Sequence, residues 1–310
     1  MRGIHHVTAI AGNPVGNLDF YTRTLGLRFV KKTVNFDDPG TYHLYYGDES
    51  GSPGTILTFF SWAHAPPGRS GIGLTHATTF RIPVGSIEYW ARRLFAKGVR
   101  YQPPTSRFAE TLLPFTDADG MRLALVGILG AERESAWTNG EIPAEHAIRG
   151  FQGVTLLLGS AGPTGAVLTG VLGFKEEGRE GGHIRYRVSQ GNGGVVDIQE
   201  AQGIERGRVG QGSVHHVAFR AADDAEQAAM ARDLINDHGL HPTGQKDRQY
   251  FRSIYFHEPG GVLFEIATDP PGFTVDESLA DLGTSLKLPG FLQPRRKELE
   301  RLLPSLEPNR

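Results

Sequence analysis

The chain has 310 residues, of which 39% are hydrophobic and 21% charged, enough to bury substantial cores in two domains of about 150 residues each. A formal charge of −2 gives no electrostatic reason to expect nucleic acid or an anionic membrane as a partner. With no cysteine there can be no disulfide, thiolate metal site or cysteine nucleophile, and the composition fits a reducing compartment.

The opening "MRGIHHVTAI" places two histidines inside what would have to be the apolar stretch of an export signal. No run approaches the roughly 18 apolar residues a membrane span needs, so a cytoplasmic location is expected. The same segment reads as an apolar strand and introduces a repeat. "GIHHVTAI" from Gly3, "GLTHATTFR" from Gly73, "GFQGVTLLL" from Gly150 and "GSVHHVAFR" from Gly212 are four versions of it.

A candidate helix follows each strand: "VGNLDFYTRTLG" from Val15, "GSIEYWARRLFAKG" from Gly85, "PTGAVLTGVLG" from Pro163 and "DDAEQAAMARDLINDHG" from Asp223. The last has an Asp at a plausible N-cap and closes on Gly239 after His238. Further short strands follow, the final one of each unit entered by a glycine turn: "GTILTFF" from Gly54, "GMRLALVG" from Gly120, "GGVVDIQ" from Gly193 and "GGVLFEIAT" from Gly260. The unit is therefore βαβββ, repeated four times. One unit alone cannot close a core, so units must pair. The polar stretch "GAERESAWTNGEIPAEHA" separates the two halves, "GREGGHIRY" near 178–186 reads as a turn, and "RRKELERLL" at 295–303 reads as a short charged helix.

This pattern, over about residues 3–270, resembles the vicinal oxygen chelate superfamily, which includes glyoxalases, bleomycin-resistance proteins and extradiol dioxygenases. The resemblance implies an α+β fold of four βαβββ modules paired into two vicinal-oxygen-chelate domains with curled, cup-like mixed β-sheets. The expected divisions are 1–130 (modules one and two), a linker at 131–147, 148–272 (modules three and four) and a C-terminal tail at 273–310. In that superfamily a cup holds a metal, with a His from the first strand of a module and a Glu from the last. The matching histidine directly precedes "V-x-I/F", which selects His6 and His216, and Glu265 is the carboxylate of the last strand.

A lone histidine on a half-buried strand is usually a hydrogen-bonded structural residue. Two at matched repeat positions, with a carboxylate at the third, favour a metal site. The same offset gives Thr58, Ala124 and Ile198 in the other modules, with Asp197 one position off. One site therefore results, and it requires module one to pack against module four, leaving modules two and three to form a cup without ligands. Two imidazoles and one carboxylate suit non-haem Fe(II) with positions left open, and Mn(II) accepts the same set.

A narrower resemblance lies in "DRQYFRSIYFHEPGGVLFEIATDPPGF" at 247–273 and "TFFSWAHAPPGRSGIG" at 58–73, which look like hydroquinone and chlorohydroquinone ring-cleaving dioxygenases. It implies a dihydroxylated aromatic and O2 as substrates, Arg248 and Tyr255 lining the pocket, and Thr8, His5 and His215 near the metal. Each has a plainer alternative: a salt bridge for Arg248, cross-strand packing for Tyr255. Strand alternation turns His215 and His5 away from their neighbours' face unless a bulge intervenes, whereas Thr8 shares the parity of His6. The alternatives are a glyoxalase-type lyase or isomerase, which needs a further ligand where Thr58 stands, and a non-catalytic bleomycin-resistance-type binding protein. Association into a homo-oligomer is also an expectation from relatives. The other histidines (His43, His64, His146, His183, His238, His241 and His257) read as surface or loop residues.

Overall fold

The computed structural model describes residues 2–306. Met1 of the opening segment and residues 307–310 of the tail lie outside them. The βαβββ unit occurs four times, as the repeat predicts. Module one comprises β1 (Ile4–Ala11), α1 (Pro14–Asp19), β2 (Arg28–Val34), β3 (Tyr42–Gly47) and β4 (Ile56–Ser61). Module two comprises β5 (Leu74–Pro83), α2 (Ile87–Ala96), β6 (Thr105–Arg107), β7 (Glu110–Thr116) and β8 (Arg122–Ile128). Module three comprises β9 (Gly150–Leu158), α3 (Gly162–Gly170), β10 (Lys175–Glu180), β11 (His183–Arg187) and β12 (Val195–Glu200). Module four comprises β13 (Val214–Ala221), α4 (Asp224–His238), β14 (Lys246–Asp247), β15 (Arg252–His257) and β16 (Leu263–Thr268).

Local chemistry sets the boundaries. Asp223 accepts a hydrogen bond from the Glu226 amide at the start of α4, and Gly239 ends the helix in the left-handed region at φ 63°. Helix α1 opens on an Asn13 cap and passes into a π turn over Phe20–Thr24. "GREGGHIRY" forms the β10–β11 hairpin, with Gly181 and Gly182 at its tip. The charged tail segment is α5 (Arg296–Leu302).

Within every module the first and last strands run parallel, a pairing that a crossover connection can make and a two-residue hairpin cannot. Modules then join through antiparallel pairing of their first strands, β1 with β13 and β5 with β9. Two eight-stranded mixed sheets result, one from modules one and four and the other from modules two and three. Each sheet thus takes one module from each half of the chain. The two are sewn together where module one crosses module three: Ile4 N donates to Gly193 O and Phe151 N to Gly54 O. At that crossing Gly193 has φ +68°, and a Cβ there would sit 2.9 Å from the Ile4 carbonyl oxygen. The linker at 131–147 does more than connect, since the Trp90 indole donates to His146 O and Ile142 and Ala147 are buried in the core.

The tail returns to module one. Lys31 on β2 is fully buried, and its Nζ donates to Asp276 Oδ1 at 2.6 Å, Glu277 Oε2 at 2.5 Å and Phe273 O at 3.2 Å. Leu288, Leu292, Leu299 and Leu303 then pack into the core. Among the described residues no helix is long and apolar enough to cross a membrane.

Candidate metal centre

His6 and His216 stand on adjacent antiparallel strands at the centre of the first sheet, and Glu265 on β16 lies beside β13, opposite Ala218. One side-chain ligand atom from each falls within 4.8 Å of the others, and all three residues are buried. Glu265 Oε2 is 2.9 Å from His216 Nε2 and 3.4 Å from His6 Nε2. Among the described residues neither contact has the angle of a hydrogen bond to this oxygen. Three atoms able to act as ligands thus converge on one point, an arrangement that fits a cation. The carboxylate's other oxygen accepts a hydrogen bond from Ser253 Oγ, which fixes its rotation. Burial alone would push the Glu265 carboxyl up, but the neighbouring imidazoles of His6 and His216 hold it well below the usual carboxylate range.

The paired histidines have a structural explanation. The β1–β13 ladder skips one residue between Ile4 and His6 and another between His216 and Val214. His5 and His215 are therefore bulge residues, and each bulge brings its histidine round to the side of its neighbour. His5 Nδ1 lies 2.9 Å from His6 Nδ1, and His215 Nδ1 lies 2.8 Å from His216 Nδ1. If Nε2 of His6 and His216 keeps its lone pair for a cation, Nδ1 carries the proton and donates it to the bulge histidine, which fixes tautomer and ring orientation. Burial, with His6 next in weight, holds His5 well below its usual range. Burial and His216 push His215 down to about 3, so both present neutral rings.

A cavity of about 340 Å³ opens beside the two imidazoles. His6, His215, His216, Tyr255 and Arg248 line it, while Glu265, His5 and Thr8 are buried and do not line it. Tyr255 faces the cup because it pairs directly across from Glu265, and its ring meets His216 edge-on at 5.6 Å. Arg248 donates from Nε to Tyr255 Oη at 3.2 Å and from Nη2 to Asp37 at 2.8 Å. Burial and the nearby Glu265 raise the Tyr255 phenol above its ordinary range, so it keeps its proton. Burial alone would lower the Arg248 guanidinium, but Tyr255 and Asp37 raise it instead, so it stays charged.

Two features were not read from the sequence. His43, expected at the surface, lies on β3 against this cavity. Its Nε2 is 2.8 Å from Thr58 Oγ1, its Nδ1 is 2.9 Å from Tyr45 Oη, and Thr58 donates to Thr8 at 2.8 Å. Alternation on β3 was the available signal, since a half-polar strand in a cup turns every second residue inward. Thr58 lies at the register position of Glu265, opposite Thr8, and is occupied by this chain of hydrogen bonds. The second feature is register in module three. Asp197, and not Ile198, corresponds to Glu265, because it pairs with Thr155 two residues beyond Gly153. The Gly193–Gly194 doublet had displaced the count by one.

The fold and the site define a member of a metal-cup class. The glyoxalase/bleomycin resistance protein/dioxygenase superfamily model matches residues 3–125 and 166–266, and the chain belongs to that superfamily. Within it, the chain is 46% identical over 307 residues to a protein of Bacillus subtilis (strain 168) described as "Putative ring-cleaving dioxygenase MhqO", covering 97% of this chain and 96% of the relative. It is 35% identical over 311 residues to the chlorohydroquinone/hydroquinone 1,2-dioxygenase of Sphingobium indicum, covering 98% of this chain and 96% of that protein. A crystal structure of a B. subtilis protein, described as a "putative dioxygenase", superposes with a TM-score of 0.93 at 46% identity, covering 98% of this chain and 97% of the other.

Proposed function

We propose that this chain is an Fe(II)-dependent ring-cleaving dioxygenase of extradiol type, acting on a dihydroxylated aromatic such as a hydroquinone. The observation that carries the reading is the convergence of His6, His216 and the buried Glu265 carboxylate, with both imidazoles lining a cavity of about 340 Å³. The names of the full-length relatives support the same reaction class.

His6, His216 and Glu265 would hold the ion. A ferrous ion bound there supplies the meeting point of diol and dioxygen and the exchange of electrons between them, and Mn(II) would be held by the same atoms. The chain's own groups do the rest. The Arg248 guanidinium offers its fixed charge to a phenolate oxygen of the substrate. Because Arg248 already donates to Tyr255 Oη, the phenol's own proton is free to point into the cavity and hydrogen-bond to an oxygen on which negative charge develops. Phe251, Trp62 and Leu263 form apolar walls that receive the ring and exclude water. His215 lines the cavity and steadies His216, while His5 and Thr8 steady the floor from behind.

A glyoxalase-type lyase or isomerase would need a ligand at Thr58, whose hydroxyl is already engaged by His43 and Thr8. A mere binding protein would not require the triad. The test is anaerobic loading with Fe(II), followed by oxygen uptake with substituted hydroquinones and catechols. Uptake with hydroquinones is expected. An iron-replete protein that consumes no oxygen with either class would contradict the proposal.

A further inference from the structure

The second sheet forms a cup of the same design, and its cavity, about 600 Å³, is the larger of the two. Its bulge is retained, since the β5–β9 ladder skips His76 as the other skips His5 and His215. At the positions of His6 and His216 stand Ala77 and Gly153, so no imidazole fills the floor. Asp197, the register counterpart of Glu265, is engaged by cations. Arg185 holds both its oxygens, at 2.8 and 2.9 Å, and Arg107 Nη2 lies 3.2 Å away.

What lines the cavity has one sign. Arg100, Arg107 and Arg122 face it with His76 and His183, and no carboxylate is among the lining residues. Two of the guanidiniums are held by imidazoles. Arg107 Nη1 donates to His183 Nε2 at 2.8 Å, and the other ring nitrogen of His183 is 3.2 Å from the Gly181 carbonyl, which fixes Nε2 as the acceptor. Arg122 Nη1 is 3.2 Å from His76 Nε2. Burial, then Arg122, pushes His76 down to about 4, and burial with Arg107 lowers His183, so both rings are neutral acceptors. A carboxylate partner would quench an arginine's charge, whereas a neutral imidazole positions it and leaves the charge in place. Arg107 also keeps a buried Nε with no hydrogen-bond partner among the described residues. Arg107 does reach Asp197, but that carboxylate is already held through both oxygens by Arg185. Arg122 makes no ion pair among the described residues, whereas Arg248 of the metal cup is paired with Asp37. Leu112, Phe115 and Leu123 supply an apolar surface beside the charges.

We propose that this second cup is a binding site for a small organic carboxylate with an apolar body about the size of an aromatic ring, its carboxylate held by Arg107 and Arg122. Fixed guanidinium forks in a concave, partly apolar site are suited to that chemistry. The site is independent of the metal centre and does not depend on the reaction assigned there.

The probe is benzoate, titrated calorimetrically into the full-length chain at low ionic strength, with benzyl alcohol and inorganic phosphate as comparisons. Saturable benzoate binding is expected, with no binding of benzyl alcohol, and it should survive both His216→Ala and Arg248→Gln. Arg122→Gln, at an exposed position where folding is not at stake, should weaken it by about tenfold, and Arg107→Gln by as much or more. Absence of benzoate binding, equal binding of benzyl alcohol, or binding unchanged by Arg122→Gln would overturn the proposal. So would loss of benzoate binding in Arg248→Gln, which would assign the anion to the metal cup, or a preference for phosphate over benzoate.

Discussion

Ser253→Ala is the most discriminating small change in the molecule. Ser253 is fully buried on β15, and its hydroxyl donates to Glu265 Oε1. Alanine removes one oxygen, leaves the backbone pairing with Ala267 intact and keeps all three proposed ligand residues in place. A hydrogen bond to a charged group contributes about 1.5–3 kcal/mol. Part of that is lost with or without the ion, so metal affinity should fall by less than the full amount. Loss of an outer partner to a ligand typically costs about ten- to a hundredfold in affinity, and about tenfold is expected here. The assay is an anaerobic competition titration with Fe(II), repeated with Mn(II), alongside unfolding of the metal-free protein. Weaker binding of both ions is predicted, with folding retained. Affinity within about twofold of the unmodified chain would refute the idea that Ser253 positions Glu265 for a cation.

Other outcomes follow from the same geometry. Arg248→Gln should raise KM for the diol by about tenfold or more with metal content unchanged, in steady-state oxygen uptake. Lys31→Met should lower unfolding free energy by about 3 kcal/mol in urea melts, because it leaves the buried Glu277 carboxylate with only the longer cation contact to Lys287, at 4.0 Å. Asp117 carries a pH dependence of its own. Burial raises its carboxyl from 3.8 to about 6 in the folded chain. A raised carboxyl favours folding most below its unfolded value and loses that contribution as pH rises through about 6. Asp117→Asn, which mimics the protonated form toward Tyr21 and the Met121 amide, should therefore gain on the unmodified chain by at most about 3 kcal/mol between pH 4 and 7.5. A difference independent of pH would contradict that account.

The repeat made much of the fold legible. Four strands of one pattern, each followed by a helix, gave the βαβββ unit, and the placement of His6, His216 and Glu265 required modules one and four to share a sheet. What the repeat could not carry lay in departures from ideal strands. A bulge is one extra residue with no sequence mark of its own, so the roles of His5 and His215 stayed ambiguous until the ladder was seen. His43 has no counterpart in the repeat, because the site draws it from β3 of module one. Ser253 is legible only once β15 is paired with β16, because its contact with Glu265 is cross-strand. The arginine–histidine pairs of the second cup join β6 to β11 and β8 to β5, and no local pattern relates such distant residues.

Anomalous diffraction at the iron edge, from crystals of anaerobically iron-loaded protein, tests the centre of this account most directly. One strong peak within about 2.0–2.3 Å of Nε2 of His6, Nε2 of His216 and a carboxylate oxygen of Glu265 is predicted. A peak elsewhere, or none in protein that binds one iron per chain in solution, would contradict it.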